Sequence, residues 1–290
     1  MKTALVIGAT GAFGRAVLKR LRASARFRVV AASRHCEGPD SLQLDLCDRQ
    51  QVAVAVKHTR PDWVLNLAGT FSNNLDEAYA VNVEGARHLL EAVQQSGSCI
   101  RVLLVGSAAE YGMVREEENP IREDHALNPV SIYGLTKAWQ TQLAGYYATC
   151  GVDVVVARAF NLYGPRLSEQ LFMGRLQKQI DDVLAERRST IETGPLASIR
   201  DYISTDDAAE QMLAIAACAE SGRVYHIASG QPVTMSAMLA EHLAAYRLDM
   251  TIVQTSAELS NRTGYDVPVI YADVTNTMKF MSQWRAGVEA

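Results

Sequence analysis

A glycine-rich segment directly after the first apolar run constrains the fold of this chain more than any other feature of its sequence. Residues 4–7 are apolar, Gly8-Ala-Thr-Gly11-Ala-Phe-Gly14 follows them, and a helical pattern extends over residues 12–23. Such glycines permit a tight turn, a close approach of backbone to a pyrophosphate and close packing of a helix on a sheet. The N-terminus of the helix would add unpaired N–H groups and a positive dipole end. This order predicts a dinucleotide-binding unit, and a glycine-rich turn that binds no ligand is the alternative.

Short apolar segments alternate with amphipathic ones through the first half of the chain. Further strands are predicted at residues 28–32, 63–66, 102–105 and 152–157, and helices at residues 51–58, 75–95 and 131–149. Short buried strands that alternate with helices indicate a parallel sheet covered on both faces. The sequence therefore predicts an α/β fold of the Rossmann type, with a doubly wound parallel sheet.

The alternation loosens after Gly164-Pro165. Helices are predicted at residues 170–186, 205–219 and 235–246, and a strand at residues 224–228. We expect residues 1–162 to form the nucleotide-binding domain, rejoined by about residues 203–228. Residues 163–202 and 229–290 are expected to form a smaller C-terminal substrate-binding domain.

Composition argues against several classes of partner. The chain has 290 residues, of which 48% are hydrophobic, and a net charge of −4 with both signs interspersed. This balance gives no case for binding to nucleic acid or to a membrane surface. The sequence has no apolar run of transmembrane length and no apolar core of a signal peptide at its start. The five cysteines are odd in number and lack metal-ligand spacing, so we expect reduced thiols, no metal and a cytoplasmic protein.

The end of the second predicted strand bears on the choice of cofactor. NAD sites usually place an acid there to bond the ribose 2′-hydroxyl, whereas this chain has Ser33-Arg34-His35. Because a guanidinium can bind a 2′-phosphate bidentately, we expect NADP(H), with NAD(H) or a solvated arginine as the alternatives. Asp45 is a candidate for contact with the adenine, although a lone Asp can equally cap a turn or a helix.

Tyr133 and Lys137 form a candidate catalytic pair in Tyr133-Gly-Leu-Thr-Lys137. Residues four apart lie on one face of a helix, and an ammonium near a phenol lowers the pKa of the phenol. A phenol with a free pKa of about 10 would then exchange protons near neutral pH. The pair alone is weak, because Tyr and Lys occur by chance at this spacing on surface helices, but the glycine loop in the same chain strengthens it.

In their order and spacing these motifs resemble the extended short-chain dehydrogenase/reductase family, in its nucleotide-sugar branch. The likeness spans nearly the whole chain. Its segments are residues 8–14, Asp45-Leu46, Asn66-Leu-Ala-Gly69, Val81-Asn82, residues 107–112, residues 133–137, Arg158-Ala-Phe-Asn161, Gly164-Pro165 and Arg200-Asp-Tyr202. Each segment alone is weak evidence, whereas the combination is specific.

The resemblance implies an active site of Ser107, Tyr133 and Lys137. Tyr133 would exchange a proton with a sugar oxygen, Ser107 would hydrogen-bond the same oxygen, and Lys137 would hold the nicotinamide ribose and lower the Tyr133 pKa. The cofactor would carry the hydride chemistry. The implied cofactor-binding residues are Gly8, Thr10, Gly11, Ala12, Phe13, Gly14, Ser33, Arg34, Asp45, Leu46, Leu67, Ala68, Gly69, Asn82, Tyr133, Lys137 and Phe160. The implied substrate-binding residues are Ser107, Ala108, Asn161, Arg200 and Arg262.

Departures from the family pattern narrow the chemistry. In nucleotide-sugar 4,6-dehydratases an acid or an acid pair directly follows the catalytic Thr and serves the elimination of water. The matching positions here are Ala108 and Ala109, and Glu110 lies one place too late. Because elimination needs a further general acid and base, the sequence favours keto reduction or epimerisation over dehydration.

The C-terminal third resembles the GDP-4-keto-6-deoxy-mannose reductases at residues 197–203 and 262–268 and at Tyr271-Ala-Asp273. In those enzymes the arginines meet the nucleotide diphosphate, a role that suits Arg200 and Arg262 because a guanidinium matches phosphate geometry. Surface arginines in salt bridges are the alternative. Asn161 would bind the sugar or the diphosphate.

Taken with the residues above, the resemblance implies NADPH-dependent reduction of the 4-keto group of a nucleotide-diphosphate 4-keto-6-deoxyhexose, with a GDP-linked substrate favoured. The alternatives are an NAD-dependent nucleotide-sugar epimerase and a sensing or scaffolding protein that only binds NADP(H).

A homodimer is also implied, because residues 75–95 and 131–149 match the two helices that form a four-helix interface in this family. We expect Leu89, Leu90, Val93, Leu143 and Tyr147 to supply its apolar surface. The alternative is that these side chains pack inside the monomer.

Overall fold

The structure, a computed structural model, describes residues 1–35, 38–259 and 267–289. The strands are β1 (Lys2–Ile7), β2 (Phe27–Ser33), β3 (Ser41–Gln43), β4 (Trp63–Asn66), β5 (Arg101–Ser107), β6 (Val154–Ala159), β7 (Asn161–Tyr163), β8 (Ile191–Thr193), β9 (Ile199–Ser204), β10 (Val224–Ile227), β11 (Pro232–Thr234), β12 (Val253–Thr255) and β13 (Val269–Ile270). The helices are α1 (Ala12–Ala23), α2 (Arg49–Thr59), α3 (Leu75–Tyr79), α4 (Gly85–Ser96), α5 (Ile132–Thr149), α6 (Phe172–Leu184), α7 (Thr205–Cys218), α8 (Met235–Ala244) and α9 (Thr275–Glu289).

Seven strands of the described chain form one parallel sheet in the order β3-β2-β1-β4-β5-β6-β10. This is the strand order of a doubly wound Rossmann fold, extended at one edge by β10. The direction of winding reverses between β1 and β4, and ligands of such sheets bind at the carboxyl ends of the strands beside this point. The predicted fold class is confirmed.

Both faces of the sheet are covered because successive residues of a strand point to opposite sides. In β1, Ala4 and Val6 lie in the apolar core that α1 and α7 cover, whereas Leu5 and Ile7 lie in the core that α2, α4 and α5 cover. These four side chains are at most 1% exposed. Burial on both faces explains why the strands read as unbroken apolar runs in the sequence.

A second, four-stranded sheet forms in the C-terminal part of the described chain. There β9 pairs with β11, β13 and β7. A separate core with side chains from α6 and α8 lies beside it, and includes Leu176, Leu239 and Leu243. In contrast, β10 belongs to the seven-stranded sheet and α7 packs against α1. The division into domains at the predicted boundaries stays a prediction.

The elements predicted in the first half of the chain lie within a few residues of the observed ones. The strand expected at residues 28–32 is Phe27–Ser33, and the helix expected at residues 131–149 is Ile132–Thr149, with Ser131 as its N-cap. The sequence did not indicate β3, the short strands of the second half or α9. This last helix packs on α7, and its Trp284 lies against Trp63 with ring centroids 6.5 Å apart.

The helix expected over residues 75–95 contains a widened turn. A π-helical turn, Ala80–Glu84, joins α3 to α4. Such turns take one extra residue into the helix and are frequent at functional sites. Asn82 lies in this turn and is 1% exposed.

The side chains expected at a dimer surface pack inside the monomer instead. Leu89, Leu90, Val93 and Tyr147 are buried in the core between the sheet and α2, α4 and α5, and Leu143 packs against the same core. For the four buried side chains that part of the expectation is wrong, because they lie on the helix faces that cover the sheet. Leu143 is half-buried and also lines a surface groove beside Tyr79 and Trp139.

Three further findings concern membranes, metals and disulfides. Within the described ranges no helix combines the length and apolar character needed to cross a membrane. The same residues contain no group of three or more His, Cys, Asp or Glu side chains that could hold a metal ion. Cys47, Cys99, Cys150 and Cys218 are free thiols, and Cys36 lies outside the described residues.

Candidate active site

The loop between β1 and α1 is closed by backbone contacts that require glycine. Gly8 has a φ of +79°, and a Cβ on it would lie 2.7 Å from the N atom of Ala68. A Cβ on Gly14 would lie 2.2 Å from the carbonyl oxygen of Gly8. Gly11 is the N-cap of α1, and no side chain caps the first N–H groups of that helix. Unpaired N–H groups and a positive dipole end are the features that bind phosphate groups at the carboxyl edge of such sheets.

The other predicted loop residues divide into exposed and buried positions. Thr10 and Gly11 are exposed and Ala12 is half-buried. Phe13 is buried in the core beside α1, so its side chain serves helix packing.

The end of β2 carries a buried hydroxyl with an unused hydrogen-bonding capacity. Ser33 is 8% exposed, and its Oγ has no hydrogen-bond partner within residues 1–35, 38–259 and 267–289. Buried polar atoms are nearly always paired, because an unpaired one costs free energy. Arg34 follows directly and is exposed. A polar ligand group at this strand end would complete the bonding of Ser33.

Asp45 and Leu46 follow β3 and make contacts within the chain. The Asp45 carboxylate accepts from the Cys47 N–H at 2.9 Å. Leu46 is buried and packs against Gly85, where a Cβ would lie 2.9 Å from the Leu46 Cβ. Their role toward an adenine stays a prediction.

The loop after β4 is held by two asparagines. Asn66 accepts from the Ala68 N–H at 3.1 Å. Asn82 accepts from the Thr70 N–H at 3.0 Å and donates to Thr136 on α5 at 3.0 Å. This network places the exposed Gly69 close to Lys137, since a Cβ on Gly69 would lie 3.3 Å from Lys137 Nζ. Leu67 and Ala68, in the same loop, are half-buried.

Ser107 ends β5 and caps the short helical turn Ala108–Glu110. Its Oγ accepts from the Ala109 N–H at 3.2 Å, and its own N–H donates to Glu110 Oε1 at 2.7 Å. This reciprocal arrangement is a capping box. It fixes the serine hydroxyl at the carboxyl edge of the sheet.

Tyr133 lies in the first turn of α5 and faces this serine. α5 packs closely on the turn that Ser107 caps, because a Cβ on Gly134 would lie 2.3 Å from the Ala109 carbonyl oxygen. Phe71 packs on the other side of the tyrosine, with ring centroids 4.5 Å apart. Burial raises the pKa of Tyr133 to about 12, a hydrogen bond with Ser107 lowers it, and the Glu110 carboxylate raises it.

Lys137 lies one turn further along α5 and is 3% exposed. Its Nζ donates to the Val105 carbonyl oxygen at 2.8 Å and to Gln140 Oε1 at 3.0 Å. Burial lowers the pKa of Lys137 to about 8, against an upward effect of Glu110. Lys137 is not among the groups that shift the Tyr133 pKa. The expected lowering of that pKa is therefore wrong for this structure, because the ammonium bonds the end of β5 and Gln140 instead.

The predicted substrate-binding residues that the structure describes lie on β5, β7 and β9 or directly after β5. Ala108 is buried, and Asn161 donates to the Asp201 carbonyl oxygen at 3.0 Å. Arg200 is 5% exposed and donates to the Ile199 carbonyl oxygen at 2.8 Å. Phe160, expected at the cofactor, packs against Tyr111 and His226. Arg262 lies outside the described residues.

Sequence reasoning missed the polar groups beneath the site. Glu110 is 0% exposed and bonds Arg158, which is 1% exposed, and Thr141 on α5. Gln140 is 1% exposed and bonds Lys137. Two signals could have found them. Glu110 stands three residues after Ser107, as a capping box requires, and Gln140 stands three residues after Lys137 on one helix face.

Comparison with known proteins adds a family to this geometry. The sequence pattern of the NAD dependent epimerase/dehydratase family matches residues 4–228. The GDP-6-deoxy-D-mannose reductase of Pseudomonas aeruginosa is 27% identical over 208 residues, which cover 69% of this chain and 68% of that protein. The GDP-6-deoxy-D-talose 4-dehydrogenase of Aggregatibacter actinomycetemcomitans is 29% identical over 207 residues, which cover 70% of this chain and 66% of that protein.

Among solved structures, that of RMD from Pseudomonas aeruginosa in complex with NADPH superposes with a TM-score of 0.84. It is 21% identical in sequence, and the match covers 97% of this chain and 93% of that one. The chain as a whole thus shares the fold of this protein.

Replacing Tyr133 by phenylalanine tests the catalytic set. Tyr133→Phe removes the hydroxyl that faces Ser107 and keeps the ring on Phe71, so turnover should fall about 10²-fold or more, as the loss of a general acid implies. Binding of the reduced cofactor, followed by its fluorescence, should change little. Tyr225→Phe is the matched control. Tyr225 lies on β10, and its hydroxyl accepts a hydrogen bond from the Glu220 N–H. Turnover of Tyr133→Phe within a few-fold of wild type would contradict the assignment.

Proposed function

Because the chain belongs to the NAD dependent epimerase/dehydratase family, we propose that it reduces the 4-keto group of a nucleotide-diphosphate 4-keto-6-deoxyhexose with NADPH. Its relatives and the fold make it an NAD(P)-dependent oxidoreductase of the extended short-chain dehydrogenase/reductase type that acts on nucleotide sugars. A GDP-linked substrate is favoured, since the two relatives compared above act on GDP-sugars by their names.

The residues present fit a nicotinamide dinucleotide. Gly8 and Gly14 let the turn, the start of α1 and the loop after β4 pack closely, and the first N–H groups of α1 carry no side-chain cap that would compete with a pyrophosphate. Gly69 lies beside Lys137 without a side chain between them, which suits a ribose held by the lysine. When bound, the cofactor supplies the hydride. Ser33 Oγ, buried and without a partner in the described chain, and the exposed Arg34 support a 2′-phosphate and hence NADPH.

One observation carries the proposed proton transfer, namely the placement of the Tyr133 phenol beside the Ser107 hydroxyl at the carboxyl edge of the sheet. With a pKa raised by burial to about 12, the phenol holds its proton at neutral pH. A ketone that accepts a hydride becomes an alkoxide, which needs a proton donor at hydrogen-bonding distance. Tyr133 would donate that proton, and Ser107 would orient the substrate oxygen.

The surroundings of Ser107 oppose the dehydratase chemistry. Ala108 and Ala109 carry no ionisable group. Glu110 is the carboxylate nearest in sequence, and both of its oxygens already accept hydrogen bonds, from Ser107, Thr141 and Arg158. A carboxylate bonded in this way cannot move a proton at the sugar, so elimination of water lacks its acid and base.

On the substrate side, we assign the sugar or diphosphate to Asn161, Arg200 and Arg262. Asn161 begins β7, two residues after the end of β6, and Arg200 lies on β9, which pairs with β7. We further assign residues 163–202 and 229–290 to the substrate-binding domain, and residues 1–162 with about 203–228 to the cofactor domain.

A homodimer through α3, α4 and α5 is part of the proposal, with a contact surface different from the one the sequence suggested. Leu75 and Tyr79 on α3 and Tyr146 on α5 are 44%, 41% and 62% exposed. Tyr79 and Trp139 line a groove between the helices with Val83 and Leu143. Large exposed apolar side chains on neighbouring helices support an isologous contact.

The reaction is tested by incubation with NADPH and GDP-, dTDP-, UDP- and CDP-linked 4-keto-6-deoxy sugars, with absorbance at the dihydronicotinamide band as the readout. We expect oxidation of NADPH with the GDP-linked ketone. No oxidation with any ketone, together with NAD⁺ released on denaturation of the purified protein, would favour an epimerase that retains its cofactor.

Cofactor choice is tested by Arg34→Ala. Charge-assisted hydrogen bonds contribute about 1.5–3 kcal/mol, so NADPH should bind about 10- to 100-fold more weakly while NADH binding stays unchanged. Arg22→Ala, an exposed arginine on α1, is the control. Equal weakening of both cofactors, or wild-type binding of NADH as tight as that of NADPH, would show that Arg34 does not read the phosphate.

The assembly is tested by light scattering at micromolar concentration. We expect wild type to have twice the chain mass of 31.7 kDa, and Tyr79→Asp to be monomeric because a charge would be buried at the contact. Val54→Asp places the same charge at an exposed apolar position of α2 and should leave the mass unchanged. A monomeric wild type would reject the dimer.

A further inference from the structure

Glu110 is a fully buried carboxylate that joins three elements of the active site. Its Oε1 accepts from the Ser107 N–H at 2.7 Å, at the end of β5. Its Oε2 accepts from Arg158 Nη2 on β6 at 2.7 Å and from Thr141 Oγ1 on α5 at 2.7 Å. Thr141 stands one helical turn beyond Lys137, so one side chain connects the strand that carries the serine to the helix that carries the tyrosine and the lysine.

The backbone around this carboxylate is built to admit it. A Cβ on Gly106 would lie 2.6 Å from Glu110 Oε1, so any larger residue there would displace the side chain. The Arg158 guanidinium in turn stacks on the Tyr111 ring, 4.5 Å from its centroid. A buried ion pair is stable only when its remaining hydrogen-bonding sites are satisfied, and here Thr141 and the Ser107 backbone satisfy those of the carboxylate.

We propose that Glu110 is a positioning residue for the reaction, which holds Ser107 at the end of β5 and α5, with its Tyr133 and Lys137, in a fixed relative position. This inference rests on the proposed reduction, because it assigns the proton to Tyr133. Glu110, which stands one position too late for the acid of a dehydratase, would thus take part in the reaction without contact to the substrate.

The charge of Glu110 acts on two ionisable groups of α5, Tyr133 and Lys137. It raises the pKa of Tyr133 and that of Lys137, although burial is the larger influence on each. The other charged or titratable groups around it are Arg158 on β6, Tyr111 beside it, Glu123 in the following loop and His226 on β10, which bonds the Tyr111 hydroxyl. Among the charged groups around Tyr133, Glu110 shifts the pKa of the phenol, whereas Lys137 does not.

The negative charge of Glu110 near Tyr133 sets the direction of the expected pH effect. A reduction that needs protonated Tyr133 loses rate as pH rises through the pKa of the phenol, which gives the alkaline limb of the pH–rate profile. Removing the negative charge of Glu110 lowers that pKa. The alkaline limb should therefore move to lower pH in Glu110→Gln and stay in place in Glu110→Asp, which keeps the charge and loses only reach.

The experiment measures kcat, KM and their pH profiles for wild type, Glu110→Gln, Glu110→Asp and Glu210→Gln. Glu210 is the control, because it is a carboxylate paired with Arg20 and Arg285 on the opposite face of the sheet. We expect kcat of Glu110→Gln to fall at least about 10-fold with little change in KM, and its alkaline limb to move down by about half a pH unit or more. A wild-type alkaline limb in Glu110→Gln, or the same shift in Glu210→Gln, overturns the proposal.

Thr141 supplies a milder variant if Glu110→Gln fails to fold. Thr141→Val removes one hydrogen bond to the carboxylate without a change of charge, and should lower kcat several-fold, with recovery in Thr141→Ser. Thr59→Val removes a comparable hydroxyl bond, to the Ala55 carbonyl on α2, and should leave kcat unchanged. Equal kcat in wild type and Thr141→Val overturns the positioning role.

A measurement without substrate separates this inference from the proposed reaction. In protein with ¹³C at the tyrosine ζ-carbon and with NADP⁺ added, the Tyr133 resonance is identified by its absence in Tyr133→Phe. The Tyr133 resonance should titrate at lower pH in Glu110→Gln than in wild type. This expectation does not depend on which sugar is the substrate. A resonance that titrates at the same pH in both proteins, or stays neutral to the same limit in both, overturns the inference even if the ketone is reduced.

Discussion

The contact between the start of α1 and the turn after β1 is the constraint on which the rest of the structure depends. Gly14 packs so closely on the carbonyl oxygen of Gly8 that a Cβ on residue 14 would clash with it. Gly8 packs as closely on the backbone that follows β4. Three backbones thus converge at the point where the sheet changes its direction of winding. The N-terminus of α1, the ends of β2 and β4 and the serine of β5 all lie at the carboxyl edge of the sheet, where ligands of such folds bind.

Much of this architecture can be predicted from the sequence, because strands buried on both faces have an unmistakable composition. The run from Ala4 to Ile7 and the run from Val102 to Val105 are apolar throughout, and each is followed by helical periodicity. The second half resisted prediction for a physical reason. Its strands, such as Ile191–Thr193 and Val253–Thr255, are two or three residues shorter than the mean strand, and a half-exposed strand of that length has no readable period.

The candidate site was predictable in its residues and unpredictable in its electrostatics. Tyr133, Lys137 and Ser107 follow from spacing and family resemblance, and the structure places them around one end of the sheet. Spacing on a helix, however, says nothing about where a long side chain finds its hydrogen bonds. The Lys137 ammonium bonds the Val105 carbonyl oxygen, and burial then decides the protonation of the phenol. Glu110 shows the converse, since its sequence position argued against a part in dehydration, whereas the structure shows it fully buried and hydrogen-bonded to Ser107, Thr141 and Arg158.

The widened turn Ala80–Glu84 has a mechanical consequence. On its outer side Tyr79 contacts Trp139 of α5 and faces the surrounding medium, whereas on its inner side Asn82 carries the loop that contains Gly69. A single turn, widened from regular helical hydrogen bonding, therefore adjoins both the exposed Tyr79 and the loop beside Lys137.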